Sequence, residues 1–282
     1  MEYYVALADV TQRLGVADGR LRDRLRARST QFSAVEYLGF NPRVEAPPAD
    51  LPEACKGCDT MAPRGATRCA CGMALKPRSP YDVWSGALVT TYTGDGFGVP
   101  MGASYSDVLR WLPEMRPYRG YEGGTNAEFR DIAFAVTHLV YTLNDYNRHL
   151  LEPGWLPEEF EFLTRNASET LAAGDTELLG EFIDSLRAFG VPETDPCIRS
   201  GIDYLLGAQN ADGSWGDPQD PDIPRRCHTT WTAVDGLRDF DWQESPVAPR
   251  ALTRLWRGTG KQSTGAAAVT DAALTQHTVT PH

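Results

Sequence analysis

Gly201-Ile202-Asp203-Tyr204-Leu205-Leu206, then Gln209, then Asp212-Gly213-Ser214-Trp215-Gly216, and finally Cys227-His228-Thr229-Thr230-Trp231-Thr232-Ala233-Val234-Asp235-Gly236-Leu237 form the segment on which the fold turns. Asp195-Pro196 opens a helix through Ile198, Ile202, Leu205 and Leu206, since an aspartate caps free amides and a proline suits the first turn. A second helix is expected from about His228 to Leu237. Between them, the Gln can bond free groups at a helix end while the Trp stacks across it, tying one helical hairpin to the next.

Working outward, the chain from Thr125 onward reads as helix after helix. Thr125-Asn126-Ala127-Glu128 has the spacing of a capping box, and a periodic run from about Phe129 to Leu151 ends at Pro153-Gly154. That run is apolar nearly all round between Ile132 and Tyr141, as expected of a helix covered on every side. Pro157 opens a one-sided helix that Gly174 stops. Asp175 caps another, carrying Leu178, Leu179, Phe182, Ile183, Leu186 and Phe189. Further helices are expected over Tyr81–Thr93, Ala103–Leu112 and Ala251–Trp256. No alternation of period two appears, so the fold class is all-α, built of stacked αα-hairpins.

The segment over about residues 198–239 resembles the repeat of the terpene cyclase and protein prenyltransferase (squalene–hopene cyclase-like) superfamily. The resemblance implies an α/α-toroid, in which inner helices surround a cavity and outer helices face solvent. His228 matches, by local pattern, the histidine that prenyltransferases place before an inner helix to hold catalytic zinc. Asp195-Pro196-Cys197 has the spelling of that family's Asp-x-Cys pair, but it lies only about thirty residues before His228 rather than on an inner helix further upstream. The cyclases' Asp-x-Asp-Asp acid and an Asp-Asp-x-x-Asp diphosphate site have no counterpart in the sequence, so the resemblance speaks to fold more than to reaction.

The 282 residues carry 38 acidic against 27 basic side chains, a formal charge of −11, which argues against a nucleic-acid partner. The first thirty residues show no apolar signal segment and no window reaches a membrane span, so a cytoplasmic location is expected. The expected organisation is an N-terminal helical segment and linker over 1–50, a cysteine-rich segment over 51–78, the toroid over 79–257 and a flexible tail over 258–282, with His277 and His282 as bystanders in the tail.

Cys55-Lys56-Gly57-Cys58 and Cys69-Ala70-Cys71 place four thiols within 17 residues. In a reducing compartment such paired cysteines on turns suit a tetrahedral, closed, structural zinc site, and the segment resembles a short zinc ribbon. Buried or redox-active thiols are the alternative.

His138-Leu139-Val140-Tyr141-Thr142-Leu143-Asn144-Asp145 and His228 to Asp235 share His-x-x-aromatic-Thr-x-x-Asp, ninety residues apart. On a helix, offsets of 0, 4 and 7 share one face, so each segment lines up a polar stripe suited to a wet cavity. His149 extends the first stripe, about 16 Å along the axis from His138. Two metal sets follow: Asp145 and His149 with His228, or His138 with His228 aided by Asp235 or Cys227. The alternative is that these histidines satisfy hydrogen bonds where inner helices begin. Tyr141, Trp231, Trp84 and Trp111, with Thr142 and Thr232, are the expected cavity walls. The function expected is a metal- or acid/base-dependent enzyme acting on an apolar or aromatic small molecule or peptide. The alternative is a non-catalytic scaffold whose zinc segment recruits a protein partner.

Overall fold

The computed structural model describes residues 11, 14, 15, 19–244 and 248–259. The expected tail lies almost wholly outside them. The chain is all-α: among the described residues the only β pairings are isolated bridges, such as Pro52 with Pro77 and Arg68 with Ala74. Its helices are α1 (Gly19–Ser29), α2 (Ala34–Leu38), α3 (Pro80–Phe97), α4 (Tyr105–Leu109), α5 (Leu112–Met115), α6 (Phe129–Leu143), α7 (Pro157–Ala173), α8 (Thr176–Ala188), α9 (Pro196–Gly207), α10 (Ile223–Leu237) and α11 (Arg250–Thr259). No helix among the described residues is long and apolar enough to cross a membrane.

Local chemistry sets most boundaries. Ser79 accepts from the Asp82 amide ahead of Pro80, and Gly98 closes α3 in the left-handed region at φ 72°. Asp175 caps α8 through the Leu178 amide, and Asp195 caps α9 through Cys197 and Ile198. Asp195 is thereby a helix cap, which is a different use from the Asp-x-Cys pair it spells. Asp222 caps α10 through the Arg225 amide, so α10 begins five residues before His228. The proline-broken stretch before it supplies caps and turns, with Asp217 and Asp220 accepting from Gln219 and Asp222 amides.

The expected helix over Ala103–Leu112 is instead two short ones, α4 and α5, and both ends of α6 also differ from expectation. Thr125 donates to the Glu122 carbonyl and the Glu128 amide bonds Asn126, so no capping box forms. And α6 stops at Leu143, because Asp145, Tyr146 and Asn147 all take the left-handed conformation, at φ 57°, 50° and 68°. Non-glycine residues resist that region at about 1–2 kcal/mol each. The turn is held by side chains: Asn144 and Asn147 bond each other, Asn147 donates to Asp184, and Tyr92 donates to Asp145.

Four helices lie side by side in parallel. Ser79 meets Asp131 and Tyr92 meets Asp145, so α3 and α6 rise together. Thr137 meets Glu181 and Asn147 meets Asp184, which sets α8 parallel to α6. Glu177 meets His228 and Arg187 meets the Gly236 carbonyl, which sets α10 parallel to α8. The returning helices α7 and α9 pack on α8.

The most enclosed helix is α8, which buries every residue from Glu177 to Ala188 except Arg187. Its contact with α10 is nearly backbone to backbone. A Cβ on Gly180 would stand 2.4 Å from the Thr232 carbonyl oxygen, and one on Gly236 would stand 2.9 Å from that of Gly180. The core around these helices is apolar, with Trp84, Leu88, Leu139, Phe162, Leu163 and Phe182 almost wholly buried. Each such side chain contributes roughly 1.5–3 kcal/mol through burial.

At the α9–α10 joint the tryptophan, rather than the expected glutamine, bonds the free group at the helix end. Trp215 is buried and donates its indole N–H to the Leu205 carbonyl at 2.7 Å, satisfying a free group at the end of α9, while its amide donates to Thr230 on α10. Gln209 donates instead to Gly213 within the turn.

Candidate metal centre

The parallel register brings one polar side chain from each of α6, α8 and α10 together. His138, Glu181 and His228 each offer a ligand atom, and these atoms lie within 4.8 Å of one another. His228 Nε2 stands 3.8 Å from Glu181 Oε1, and His138 Nδ1 stands 3.9 Å from Glu181 Oε2.

Glu181 is the unusual member. It is 1% exposed, its Oε2 accepts from the Thr137 hydroxyl at 2.5 Å, and its Oε1 is buried without a hydrogen-bond partner. Leaving a buried carboxylate oxygen unpaired is expensive, and a cation between it and the imidazoles removes that penalty. Burial raises the Glu181 carboxyl above its ordinary range, against the pull of His138.

Both imidazoles are held by a hydrogen bond at Nδ1. His138 Nδ1 lies 2.6 Å from the Phe134 carbonyl oxygen and His228 Nδ1 lies 2.6 Å from Glu177 Oε1. Carbonyl and carboxylate oxygens only accept, so each Nδ1 carries the hydrogen and each neutral ring keeps its lone pair on Nε2. Glu177's hydrogen bond raises the His228 imidazole above its ordinary value, with burial working the other way. In turn burial works upward on Glu177, but His228 and Arg130 outweigh it and hold the carboxyl below the usual range.

Aromatic rings frame the group. Tyr141 meets His138 edge-on at 6.0 Å and Trp231, which is 59% exposed, meets His228 edge-on at 6.5 Å. Tyr141 also lies near-parallel to Tyr146 in the left-handed turn.

The remaining candidates fall elsewhere. Asp145 and His149 sit beyond the end of α6, so their helical i, i+4 pairing does not exist. Asp145 is engaged by Tyr92 and Arg148, and the His149 backbone bridges to Gln243. Asp235 lies two turns past His228, about 10 Å along the helix, and pairs with Arg238 at 3.4 Å. The Thr142 hydroxyl bonds the His138 carbonyl of its own helix and the Tyr105 hydroxyl, and that of Thr232 bonds the Thr229 carbonyl. Trp84 is fully buried with its N–H on the Val108 carbonyl, and Trp111 donates to the Pro42 carbonyl, so both indoles serve packing rather than a cavity wall.

Glu181 carries no mark in its own segment, where leucines and Phe182 read as an ordinary apolar stripe. The signal is in the register: Thr142, Ser185 and Thr232 each follow a ligand, His138, Glu181 and His228, by four residues on successive parallel helices.

Comparison with family models, curated proteins and solved structures finds no match to this chain.

The four cysteines form a second cluster. Cys55, Cys58, Cys69 and Cys71 bring their sulfurs within 4.8 Å of one another, with Cys55 to Cys71 and Cys58 to Cys69 at 3.4 Å. Two tight turns present them: the Cys58 and Asp59 amides bond the Cys55 carbonyl, and the Gly72 amide bonds that of Cys69, with Gly72 at φ 90°. Four thiolates at this spacing suit a metal ion such as zinc, whose bonds to sulfur are about 2.3 Å long. The Thr60 hydroxyl, with the neighbouring thiols, draws the Cys58 thiol down to about 6.

Proposed function

We infer that this chain is a metal-dependent enzyme whose centre is His138, Glu181 and His228, acting on an apolar or aromatic small molecule or peptide in the hollow of a terpene-cyclase-like α/α-toroid. The observation that carries the reading is the buried, unpartnered Glu181 Oε1, 3.8 Å from His228 Nε2 on a ring tied at Nδ1 to Glu177, with His138 beside the other carboxylate oxygen. The parallel order of α3, α6, α8 and α10, with α7 and α9 returning between them, supports the inner and outer alternation of such a toroid.

Two imidazoles and one carboxylate would hold a divalent ion with positions left open, where it supplies Lewis-acid activation of a bound oxygen. The chain's own groups have distinct tasks. Glu181 offsets the ion's charge, Glu177 and the Phe134 carbonyl keep the imidazoles aimed, and Tyr141 and Trp231 offer apolar faces to the substrate. The four-cysteine cluster, with every ligand a thiolate, is proposed as a closed structural zinc site that holds residues 51–78 together.

Elemental analysis after metal repletion tests the reading. Two ions per chain are expected in the wild type and one in Glu181→Gln, with the cysteine site retained. One ion in both proteins would overturn the enzyme-metal reading and leave only the structural ion.

A further inference from the structure

Arg130, Phe134 and His138 follow one another at four-residue spacing along α6, so they share a stripe of that helix. The Arg130 guanidinium forks between two carboxylates of the next helix: it pairs with Asp175, the residue that caps α8, and with Glu177 Oε2. The second oxygen of the same Glu177 accepts from His228 Nδ1 at 2.6 Å. The guanidinium also lies over the Phe134 ring, 4.8 Å from its centroid, and the Phe134 carbonyl accepts from His138 Nδ1 at 2.6 Å. The Phe134 ring in turn touches both imidazoles edge-on, at 5.8 Å from His138 and 6.5 Å from His228. One side chain thus reaches the acceptor of His228 and the ring that touches both histidines.

We propose that Arg130 is a positioning residue of the proposed metal centre, fixing the tautomer and aim of His228 through Glu177 and backing the Phe134 ring that packs against both imidazoles. The proposal rests on the reading of His138, Glu181 and His228 as ligands, but its structural claim concerns the imidazoles themselves. The physical reason lies in the fork. A planar guanidinium can hold two carboxylates at fixed angles, so it sets the axial register of α6 against α8 at the height where Glu177 meets α10. A lysine carries the same charge but only a single point of attachment, and it cannot hold Asp175 and Glu177 in the same way. Outer partners of this kind typically change metal affinity by about 10–100-fold when removed.

The full-length protein, labelled with 15N in its imidazoles, tests this in metal-free and Co2+-titrated forms as wild type, Arg130→Gln and Arg130→Lys. The wild type is expected to show Nδ1–H signals for both His138 and His228. Arg130→Gln, with unchanged circular dichroism, is expected to lose the His228 Nδ1–H signal to solvent exchange. It should also bind Co2+ at the His/Glu site about 10–100-fold more weakly, leaving the thiolate bands of the cysteine site intact. Arg130→Lys should restore neither signal nor affinity, and it carries the same test if Arg130→Gln does not fold. Retention of the His228 signal and full Co2+ affinity in the folded variants would overturn the proposal. If the wild type takes up Co2+ only at the cysteines while the variants still lose the His228 signal, the metal reading fails and the positioning role stands.

Discussion

Replacing Gly180 with alanine tests the packing that builds the proposed metal centre, because it leaves every candidate ligand in place. The new Cβ would stand 2.4 Å from the Thr232 carbonyl oxygen, 2.6 Å from its carbon and 2.9 Å from the Ala233 nitrogen, all of them α10 backbone. Ordinary contact begins near 3.4 Å, so α8 and α10 must part by about 1 Å at this point. No flexible side chain can absorb that motion. One turn away, the 2.6 Å bond from His228 Nδ1 to Glu177 would stretch beyond hydrogen-bonding range if the helices separate as rigid bodies. Overpacking a close interface destabilises by typically 1–3 kcal/mol, and a backbone-to-backbone clash belongs at the upper end, about 3 kcal/mol. In a chain of this size that lowers the melting midpoint by roughly 6–12 °C. Urea denaturation and calorimetry read the stability, and Co2+ titration reads the site. A Gly180→Ala protein with unchanged midpoint and unchanged Co2+ affinity would refute the geometry on which the centre depends.

Other expectations can be checked in parallel. Cys71→Ser should release the ion of the cysteine cluster and expose residues 51–78 to proteolysis, while helical circular dichroism from α6 to α10 persists. Asp184 is fully buried, and burial raises its carboxyl from 3.8 to about 8. A raised folded value means that its stabilising contribution is complete below about pH 4 and is lost as pH rises towards 8. Asp184→Asn, which keeps an acceptor for Asn147, should therefore match the wild type at pH 4 and exceed it by on the order of a few kcal/mol at pH 8 in urea melts. Glu159 is fully buried and accepts from Arg116 at 2.8 and 2.5 Å and from Tyr118 at 2.7 Å. Arg116→Met strands that carboxylate and should cost about 3–5 kcal/mol, whereas the double change with Glu159→Leu should recover most of it.

Much of the helical architecture is legible in the sequence because its punctuation is chemical. Pro157, Asp175 and Asp195-Pro196 mark starts, and Gly174 marks a stop, as the propensities for caps and left-handed glycines require. Where the chain punctuates differently, sequence reading fails. The end of α6 has no glycine or proline at the break, and three left-handed residues are imposed there by Asn144, Asn147, Tyr92 and Asp184, partners that are distant or invisible to periodicity. The start of α10 hides in an acidic, proline-rich stretch that reads as loop. His138 and His228 draw attention because histidine is scarce and their segments match. Glu181 does not, since a lone glutamate on an apolar stripe reads as a surface residue, and only α10 and α6 closing over α8 enclose it.

The three donors come from three separate helices and span residues 138 to 228. A growing polypeptide that has emerged only through α8 possesses an imidazole and a carboxylate but not the second imidazole, and the face of α8 that α10 later covers still meets water. If the centre binds an ion as proposed, capture would be deferred until the last of these helices docks, so that an occupied centre would report that α10 has taken its place beside α8.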